Sequence, residues 1–265
     1  MRFYLVDAFA ERLFQGNQAA VYFPEGGWPS DAYMTALCRE NNFSDIALLR
    51  EKEGGYDLRW FTQEGEIEFC GHATMAAAYV ALFHERSDAQ EVHFDSQHGH
   101  IVVAKRGDLI DMTFAPYRLE RVPVTDAMVA ATGLAVRPVE AWLARDLLLV
   151  YEDEDDVRRM TPDMEKVAAL DGLLFHVTAP GRDYDCVSRS FGPKCGIVED
   201  PVCGSGHCHI LPYWAARLGK PDLKALQASR RTGVLYGHCG PELITISGHA
   251  VLFAKGEAQD EEDAR

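Results

Sequence analysis

The sequence predicts an α+β fold of two similar lobes, each a curved, barrel-like β-sheet around one central helix. A motif that begins Cys70-Gly71-His72 returns as Cys203-Gly204-Ser205, and each copy leads into an apolar stretch of helical length. The two copies lie about half a chain length apart, as expected of a duplicated half-domain. In addition, the helix predicted over residues 72–83 is apolar on nearly every side, so it must be enclosed by other elements.

The first half of the chain predicts mainly strands. Short segments rich in β-branched and aromatic residues are bounded by Gly, Asn and Asp. These segments are residues 2–7, 19–23, 46–49, 58–61, 91–94, 101–104 and 109–114. Residues 31–40 predict an amphipathic helix, because Ser30 can cap its first turn and Tyr33, Met34 and Leu37 share one face. The first predicted lobe spans residues 1–117.

The second half repeats this order of elements. Its predicted strands are residues 147–150, 173–177, 186–190, 233–236, 243–247 and 250–254, and its predicted helices are 162–170 and 206–218. Pro212 should kink the second central helix or mark its first turn. The acidic run 152–156 predicts a solvated loop, and the link between the lobes is predicted near residues 116–124. The second lobe then spans 118–255, and residues 256–265 predict a disordered acidic tail.

The composition excludes several classes of protein. The formal net charge of −15 disfavours binding to nucleic acid or to an anionic membrane surface. No segment approaches the roughly 20 apolar residues of a membrane span, and Asp7 interrupts the N-terminus too early for a secretory signal. Seven cysteines without regular spacing are typical of reduced thiols. We therefore expect an acidic globular protein of the cytoplasm.

The two Cys-Gly pairs predict a site for acid/base chemistry. Each lies where a central helix begins, and N–H groups there bind carboxylates and lower the pKa of a thiol. If the lobes are related by a pseudo-twofold axis, Cys70 and Cys203 face one cleft, as an epimerase or racemase requires. Alternatively, both are small core residues. His72, Asp200 and Ser205 lie beside the same helix starts, where they can serve as caps and local charges or as catalytic groups.

A metal or nucleotide cofactor has little support in the sequence. Zinc is a minor hypothesis for the cluster Cys203, His207, Cys208 and His209, because no second cluster follows at zinc-site spacing. No Walker A loop and no Gly-x-Gly-x-x-Gly motif after a strand is present. We expect neither a metal nor a cofactor.

The sequence resembles the PhzF-like isomerases, a family named for a phenazine-biosynthesis enzyme. The matching motifs occur in order from about residue 3 to residue 254. They are Val6-Asp7-Ala8-Phe9, Gly16-Asn17-Gln18-Ala19-Ala20-Val21, Leu58-Arg59-Trp60-Phe61-Thr62, Cys70-Gly71-His72-Ala73-Thr74, and Glu199-Asp200-Pro201-Val202 with Gly204-Ser205. The resemblance implies a diaminopimelate-epimerase-like fold with the active site between two lobes. It also implies a small carboxylate substrate, cofactor-independent proton transfer and, commonly, a homodimer.

The resemblance implies site residues as well. The family's acid/base is a Glu in an Asn-x-Ser-Glu-like motif, and Asn42-Phe43-Ser44-Asp45 places Asp45 at that position. His72, Asp200 and Ser205 match the family's other active-site positions. The substrate-binding residues that we expect are Ser44, Gly71, Ala73, Gly204 and Gly206.

The sequence departs from the family pattern at two positions. Asp45 is one methylene shorter than Glu, and Cys203 replaces the usual Thr, which creates a Cys-Gly pair like that of diaminopimelate epimerase. We predict an isomerase with Asp45 as its acid/base. A two-cysteine racemase or epimerase using Cys70 and Cys203 is the alternative, and a non-catalytic carboxylate-binding paralogue is another. Arg59 and Arg189 are candidates to bind a second acidic group of the substrate.

Overall fold

The computed structural model describes residues 1–259, which form two compact units. Unit 1 contains Met1–Met112 and the segment from Gly248, and unit 2 contains Thr113–Ser247. The elements that begin in unit 1 are β1 (Arg2–Ala8), β2 (Asn17–Phe23), α1 (Asp31–Asn41), β3 (Asp45–Lys52), β4 (Gly55–Thr62), β5 (Gly65–Ile67), α2 (Gly71–Val80), β6 (Glu91–Ser96), β7 (Gly99–Arg106) and β8 (Leu109–Phe114).

Unit 2 contains shorter helices and a second set of strands. Its elements are β9 (Glu120–Val122), α3 (Asp126–Thr132), β10 (Glu140–Leu143), β11 (Leu147–Val150), α4 (Glu154–Arg159), α5 (Met164–Ala168), β12 (Phe175–Pro180), β13 (Cys186–Gly192), β14 (Ile197–Asp200), α6 (Gly204–Leu218), β15 (Asp222–Gln227), β16 (Gly233–Cys239) and β17 (Ile244–Gly248). The last strand, β18 (Ala250–Glu257), returns to unit 1.

The C-terminal strand differs from the predicted boundaries of the lobes. β18 pairs antiparallel with the whole of β1, so the segment predicted to close the second lobe belongs to unit 1. Gly256 and Glu257, predicted as the start of a disordered tail, pair with Phe3 and Arg2 in this ladder. The predicted tail from residue 260 onward lies outside the described residues. No local pattern predicts this pairing, because it joins the two ends of the chain.

The two units have the same order of strand pairings. In unit 1, β2 is parallel to β3, β3 and β4 are antiparallel, and β4 is parallel to β6 after β5 and α2 intervene. In unit 2, β11 is parallel to β12, β12 and β13 are antiparallel, and β13 is parallel to β15 after β14 and α6 intervene. Each series continues through two further antiparallel pairs. The repeat predicted from the two Cys-Gly motifs therefore extends over whole units.

The central helices lie where the motifs predict them. In α2, every residue except Gly71 and Tyr79 is buried, and the helix packs against β1, β2, β3 and β18. In α6, which packs against β15 and β16, Pro212 lies in the middle of the helix and not in its first turn. Proline has no N–H to donate to the Cys208 carbonyl oxygen. The backbone N–H of Tyr117 donates to that oxygen instead, at 3.2 Å, so the helix continues without an orphaned acceptor.

The acidic run 152–156 is not a solvated loop. It contains the start of α4, where the Asp153 side chain caps the helix by accepting from the N–H of Asp155. Glu154 is buried because it accepts from the backbone N–H of Arg182 and from the Arg158 side chain. The acids of this run are neutralised by nearby arginines: Arg182 pairs with Asp153, Glu154 and Asp155, and Arg159 pairs with Asp156. The predicted link near residues 116–124 likewise contains β9, and α3, β10, β14 and β15 are further elements that the sequence patterns did not predict.

Within residues 1–259, no helix combines the length and the apolar character that are needed to cross a bilayer.

Candidate active site

Asp45 lies at the first position of β3 in unit 1. The preceding helix α1 ends at Asn42, whose left-handed backbone (φ of 51°) terminates the helix and turns the chain toward the sheet. Ser44 is exposed at this turn, and Asp45 then pairs with Thr62 of β4 in the antiparallel ladder. Its carboxylate is buried to 8% exposure and is positioned by the sheet rather than by a loop.

Cys70 is the N-cap residue of α2, and Gly71, His72 and Ala73 form the first turn. The Cys70 carbonyl oxygen accepts from the Thr74 hydroxyl at 2.7 Å, and that hydroxyl accepts from the Trp60 indole N–H at 3.1 Å. These buried bonds anchor the start of the helix to β4. The N–H groups of the first turn have no acceptor within their own helix, so they are available to a carboxylate.

The structure brings Asp45, Cys70 and His72 together. The imidazole lies between the other two groups: Nδ1 is 3.4 Å from the Cys70 thiol, and Nε2 is 3.5 Å from Asp45 Oδ2. All three residues are buried, with 7–8% of their surface exposed. The imidazole thus contacts a thiol and a carboxylate, and each of the three groups is of a type that serves in general acid/base catalysis.

The second predicted motif forms the N-terminus of α6 in unit 2. Cys203 is the N-cap, and its thiol accepts from the Gly206 N–H at 3.3 Å. The Gln227 side chain ties this turn to β14, because it accepts from the Cys203 N–H at 2.8 Å and donates to the Asp200 carbonyl oxygen at 2.6 Å. The Asp200 carboxylate accepts from the N–H of Val202 at 3.1 Å. Gly204 and Ser205 begin the helix.

Cys203 is not the activated thiol that its position at a helix N-terminus predicts. Burial raises the pKa of this thiol well above its usual range, and the nearby Asp200 carboxylate raises it further. The hydrogen bonds from Ser205 and the Gly206 N–H oppose this shift without reversing it. Desolvation at Cys203 therefore acts against the lowering of the pKa that its position at a helix N-terminus predicts.

Arg145 and Asp146 are site residues that the sequence patterns missed. Arg145 donates to the Ser205 hydroxyl at 2.9 Å, and it binds the carboxylate of Asp146 through two nitrogens at 2.9 and 2.5 Å. Asp146, which has no exposed surface, also accepts from His176 Nε2 at 3.0 Å. Burial alone would raise the pKa of Asp146, but His176 and Arg145 hold it well below its usual range. The only signal in the sequence was an adjacent pair of opposite charges before an apolar strand.

The minor hypothesis of a zinc site in α6 is not supported by the geometry. His207 Nδ1 donates to the Cys203 carbonyl oxygen at 2.8 Å, whereas His209 Nε2 accepts from the Asp146 N–H at 3.3 Å. Burial lowers the pKa of each imidazole to about 4. Among residues 1–259, two groups of three residues place potential ligand atoms close together, and neither is the predicted set of Cys203, His207, Cys208 and His209. They are Asp45, Cys70 and His72, and Asp146, His176 and His209.

The two arginines predicted as substrate-binding candidates are engaged elsewhere. Arg59 pairs with Glu66 at 2.6 Å and with Asp31 at 2.9 Å, and Arg189 pairs with Glu199 at 2.7 Å. Within the described part of the chain, Arg145 is instead the arginine that donates to Ser205 of the α6 motif.

Comparison with known proteins agrees with this architecture. A family model described as phenazine biosynthesis-like protein matches residues 6–256. An uncharacterised isomerase of Pseudomonas aeruginosa is 41% identical over 252 residues, which cover 95% of this chain and 96% of that protein. The crystal structure of a PhzF-family phenazine biosynthesis protein from Enterococcus faecalis matches with a TM-score of 0.93 and 44% identity, over 97% of this chain and 98% of that one.

More distant structures share the fold alone. A probable proline racemase of Agrobacterium radiobacter matches with a TM-score of 0.64 and 12% identity, over 97% of this chain and 92% of that one. The predicted fold class, an α+β fold of the epimerase type, is confirmed by these matches.

Proposed function

The chain belongs to the phenazine biosynthesis-like family of isomerases, and we propose that it moves a proton on a small carboxylate metabolite with Asp45 as the acid/base. The observation that carries this proposal is the contact of 3.5 Å between Asp45 Oδ2 and His72 Nε2 at the start of α2. No cofactor takes part in the proposed reaction, since proton transfer needs only a base, an acid and a site for the substrate's charge.

In the proposed reaction, Asp45 accepts a proton from a carbon of the substrate and returns it to another carbon. His72 Nε2 contacts Asp45 Oδ2, so in the proposed reaction His72 orients the carboxylate and can share the proton while the substrate carries negative charge. The buried position of Asp45 limits competition from water. Proton transfer by a positioned side chain typically contributes about 10²–10⁴-fold to the rate.

Within each unit, the first turn of the central helix is a proposed site for a carboxylate: α2 in unit 1 and α6 in unit 2. The relevant groups are the N–H groups around Gly71 and Ala73, those around Gly204 and Gly206, and the Ser205 hydroxyl. Arg145 donates to Ser205 Oγ and is held by Asp146, so the hydroxyl proton is directed away from Arg145 and toward an acceptor. Ser44 and Asp200 remain predicted contributors, Ser44 from the exposed turn before Asp45 and Asp200 from the end of β14.

The two-cysteine racemase is the less favoured chemistry. It requires Cys203 to ionise, and burial opposes that ionisation by raising the pKa of the thiol. Cys70 is better placed, since its sulfur contacts His72 Nδ1 at 3.4 Å. A mechanism that uses only one thiol as a base would still need a second acid/base, and Asp45 or His72 would fill that role.

The experiment that tests the proposal is incubation of the protein with a pool of small carboxylates and amino acids in D₂O, followed by mass spectrometry. No cofactor is added. Deuterium at a carbon beside a shifted double bond identifies the isomerase chemistry, whereas deuterium at the α-carbon of an amino acid with inversion identifies a racemase. An isomerase that returns the same proton converts its substrate without gaining deuterium, so products are also compared by chromatography. A pool member that binds but is neither labelled nor converted to an isomer would favour a non-catalytic binding protein.

Variants then assign the acid/base. Asp45→Asn should lower the exchange rate by at least about 100-fold, and Cys203→Ser should leave most of it. Asp57→Asn is the matched control, because Asp57 lies on the neighbouring strand β4, is partly exposed and pairs with Arg50 and Lys52. Asp45→Glu restores the longer side chain of the family motif and should retain activity. Full activity in Asp45→Asn combined with its loss in Cys203→Ser would refute the assignment.

The expected homodimer and cytoplasmic location are part of the same proposal. Sedimentation equilibrium measures the first, and fractionation of cells that express the full chain measures the second.

A further inference from the structure

The hairpin of β6 and β7 presents two histidines side by side on one face. Side chains alternate between the two faces along a strand, so Glu91, His93 and Asp95 share one face of β6. His100 of β7 lies directly opposite Asp95 in the antiparallel ladder. The His93 and His100 side chains are 40% and 51% exposed, so both imidazoles are open to solvent.

The outer nitrogen of each imidazole faces a carboxylate. Nε2 of His93 lies 3.1 Å from Glu91 Oε1, and Nδ1 of His100 lies 2.6 Å from Asp95 Oδ1. Lys52 pairs with the other oxygen of Asp95. A carboxylate only accepts hydrogen bonds, so the ring nitrogen that faces it carries the proton. In the neutral imidazoles, the lone pairs are therefore on Nδ1 of His93 and on Nε2 of His100.

The two nitrogens that carry these lone pairs face each other. His93 Nδ1 and His100 Nε2 are 3.1 Å apart, and the ring centroids are 5.2 Å apart. Neither nitrogen has a proton to donate in this pair of tautomers, so the contact requires a proton or a metal ion between them. Nitrogens bound at about 2.0–2.1 Å to one ion lie about 2.9 Å apart at a right angle and about 3.3 Å apart at the tetrahedral angle, with ring centroids about 4.5–5.2 Å apart. Both observed distances fall within these ranges.

We propose that His93 and His100 form a binding site for one divalent ion of the nickel, copper and zinc class, which imidazole nitrogens favour. The ion binds through His93 Nδ1 and His100 Nε2. Water completes its coordination, because both rings line an open surface groove of about 460 Å³. Glu91 and Asp95 supply the outer contacts that fix the tautomer and the orientation of imidazole ligands in metal sites. Their negative charge also favours a cation at this position.

The metal site is separate from the proposed acid/base. Asp45 and Lys52 occupy the first and last positions of β3, about 23 Å apart along an extended strand. Lys52 contacts Asp95 beside the histidine pair. The metal site therefore does not rest on the proposed function, and the failure of either leaves the other unchanged.

Nickel(II) is the probe, because imidazole binds this ion well and, unlike copper(II), it does not oxidise thiols. The full chain, free of any polyhistidine tag, is stripped with EDTA, separated from the chelator and titrated with Ni²⁺ by isothermal calorimetry. We expect one equivalent to bind, and His93→Gln and His100→Gln each to weaken that binding at least tenfold. Glu91→Ala keeps both imidazoles but removes one outer contact, so it should weaken binding about tenfold.

His238→Gln is the matched control. His238 is also an exposed histidine on a strand, and its Nδ1 faces the Asp222 carboxylate at 2.7 Å. Within the described part of the chain, no second imidazole contacts it. The His238→Gln protein should bind Ni²⁺ as the native protein does. Circular dichroism of each variant verifies that it is folded.

Nuclear magnetic resonance identifies the nitrogens that bind the ion. In protein labelled with ¹⁵N-histidine, Zn²⁺ should shift the resonances of His93 Nδ1 and His100 Nε2, which the two glutamine variants assign. The outer nitrogens should stay protonated. Zn²⁺ shifts confined to the outer nitrogens would refute the assigned ligands.

The titrations decide between a metal ion and a proton in this contact. If the pair holds only a proton, the native protein binds Ni²⁺ no more tightly than the single-histidine variants do, and the metal site is refuted. An equivalent of Ni²⁺ that survives both glutamine variants, or that disappears in His238→Gln, refutes its location.

Discussion

Replacement of Asp146 by Asn is the sharpest test of the network in unit 2. In the native protein the carboxylate accepts from Arg145 through two nitrogens, from His176 Nε2 and from the backbone N–H of Leu174. Asparagine keeps the size of the side chain but removes its charge and one acceptor oxygen. The one oxygen that remains cannot accept from Arg145, Leu174 and His176 as the two carboxylate oxygens do, and His176 has no exposed surface through which water could replace a lost bond.

The expected loss of stability follows from the burial of the pair. Removal of one partner from a buried ion pair typically costs about 3–5 kcal/mol. The Arg145 side chain is 32% exposed and can recover part of this through water, so we expect about 3 kcal/mol for Asp146→Asn. With an m-value of about 3 kcal/mol/M, this lowers the urea midpoint by roughly 1 M.

Equilibrium urea denaturation measured by circular dichroism gives the midpoint and the m-value together. Asp126→Asn is the control, because that carboxylate also pairs with an arginine, Arg137, but is 96% exposed. Its midpoint should equal that of the native protein. An Asp146→Asn protein with the midpoint of the Asp126→Asn protein would refute the role given to burial and to the Arg145 and His176 contacts.

Three further predictions concern the same unit. Gly206→Ala places a Cβ 2.6 Å from Cε1 of His176, whose ring is held by hydrogen bonds with Asp146 and Ser190. This overpacking should lower the free energy of unfolding, measured by urea denaturation, by about 1–3 kcal/mol. Gly27→Ala is the control, because the space around Gly27 is open and the free energy of unfolding should not change measurably. Burial lowers the pKa of the His207 and His209 imidazoles to about 4, against 6.5 in model compounds, so the unfolded chain binds more protons than the folded one between these pH values. The free energy of unfolding should therefore be highest above pH 6.5 and fall by roughly 3 kcal/mol per histidine as the pH drops to about 4. A free energy of unfolding that stays constant over this range contradicts the neutral, buried state of the rings. Burial also raises the pKa of the Cys203 thiol, so iodoacetamide at pH 8 should modify exposed Cys195 well before Cys203, and peptide mapping that finds Cys203 modified first in the folded protein would show an activated thiol.

Much of the fold was predictable because its signals are local. The two Cys-Gly motifs mark the starts of α2 and α6, and both helices are present at those positions. The strand predicted over 109–114 coincides with β8. Among the site residues, Asp45, Cys70 and His72 were all candidates from the sequence, and the structure brings them into contact.

The rest depended on partners that are distant along the chain. β18 joined unit 1 because it pairs with β1, and Glu154 became buried because Arg182 lies beside it. Neither pairing leaves a periodic pattern in the sequence. Arg145 and Asp146 were missed for the same reason, since their roles come from Ser205 and His176, 60 and 30 positions away.

By itself, the sequence determined the duplicated architecture, the family and the residue types at both helix starts, because periodicity and motif spacing are properties of neighbouring residues. The tertiary structure alone decided the surroundings of those residues. Cys70 and Cys203 have the same local sequence position, at a helix N-cap. The Cys70 thiol contacts His72, which in turn contacts Asp45. Cys203 is buried near Asp200, and both the burial and that carboxylate raise the pKa of its thiol. The chemistry available to a side chain is set by the charges and the solvent around it, and those are supplied by residues that the fold brings together.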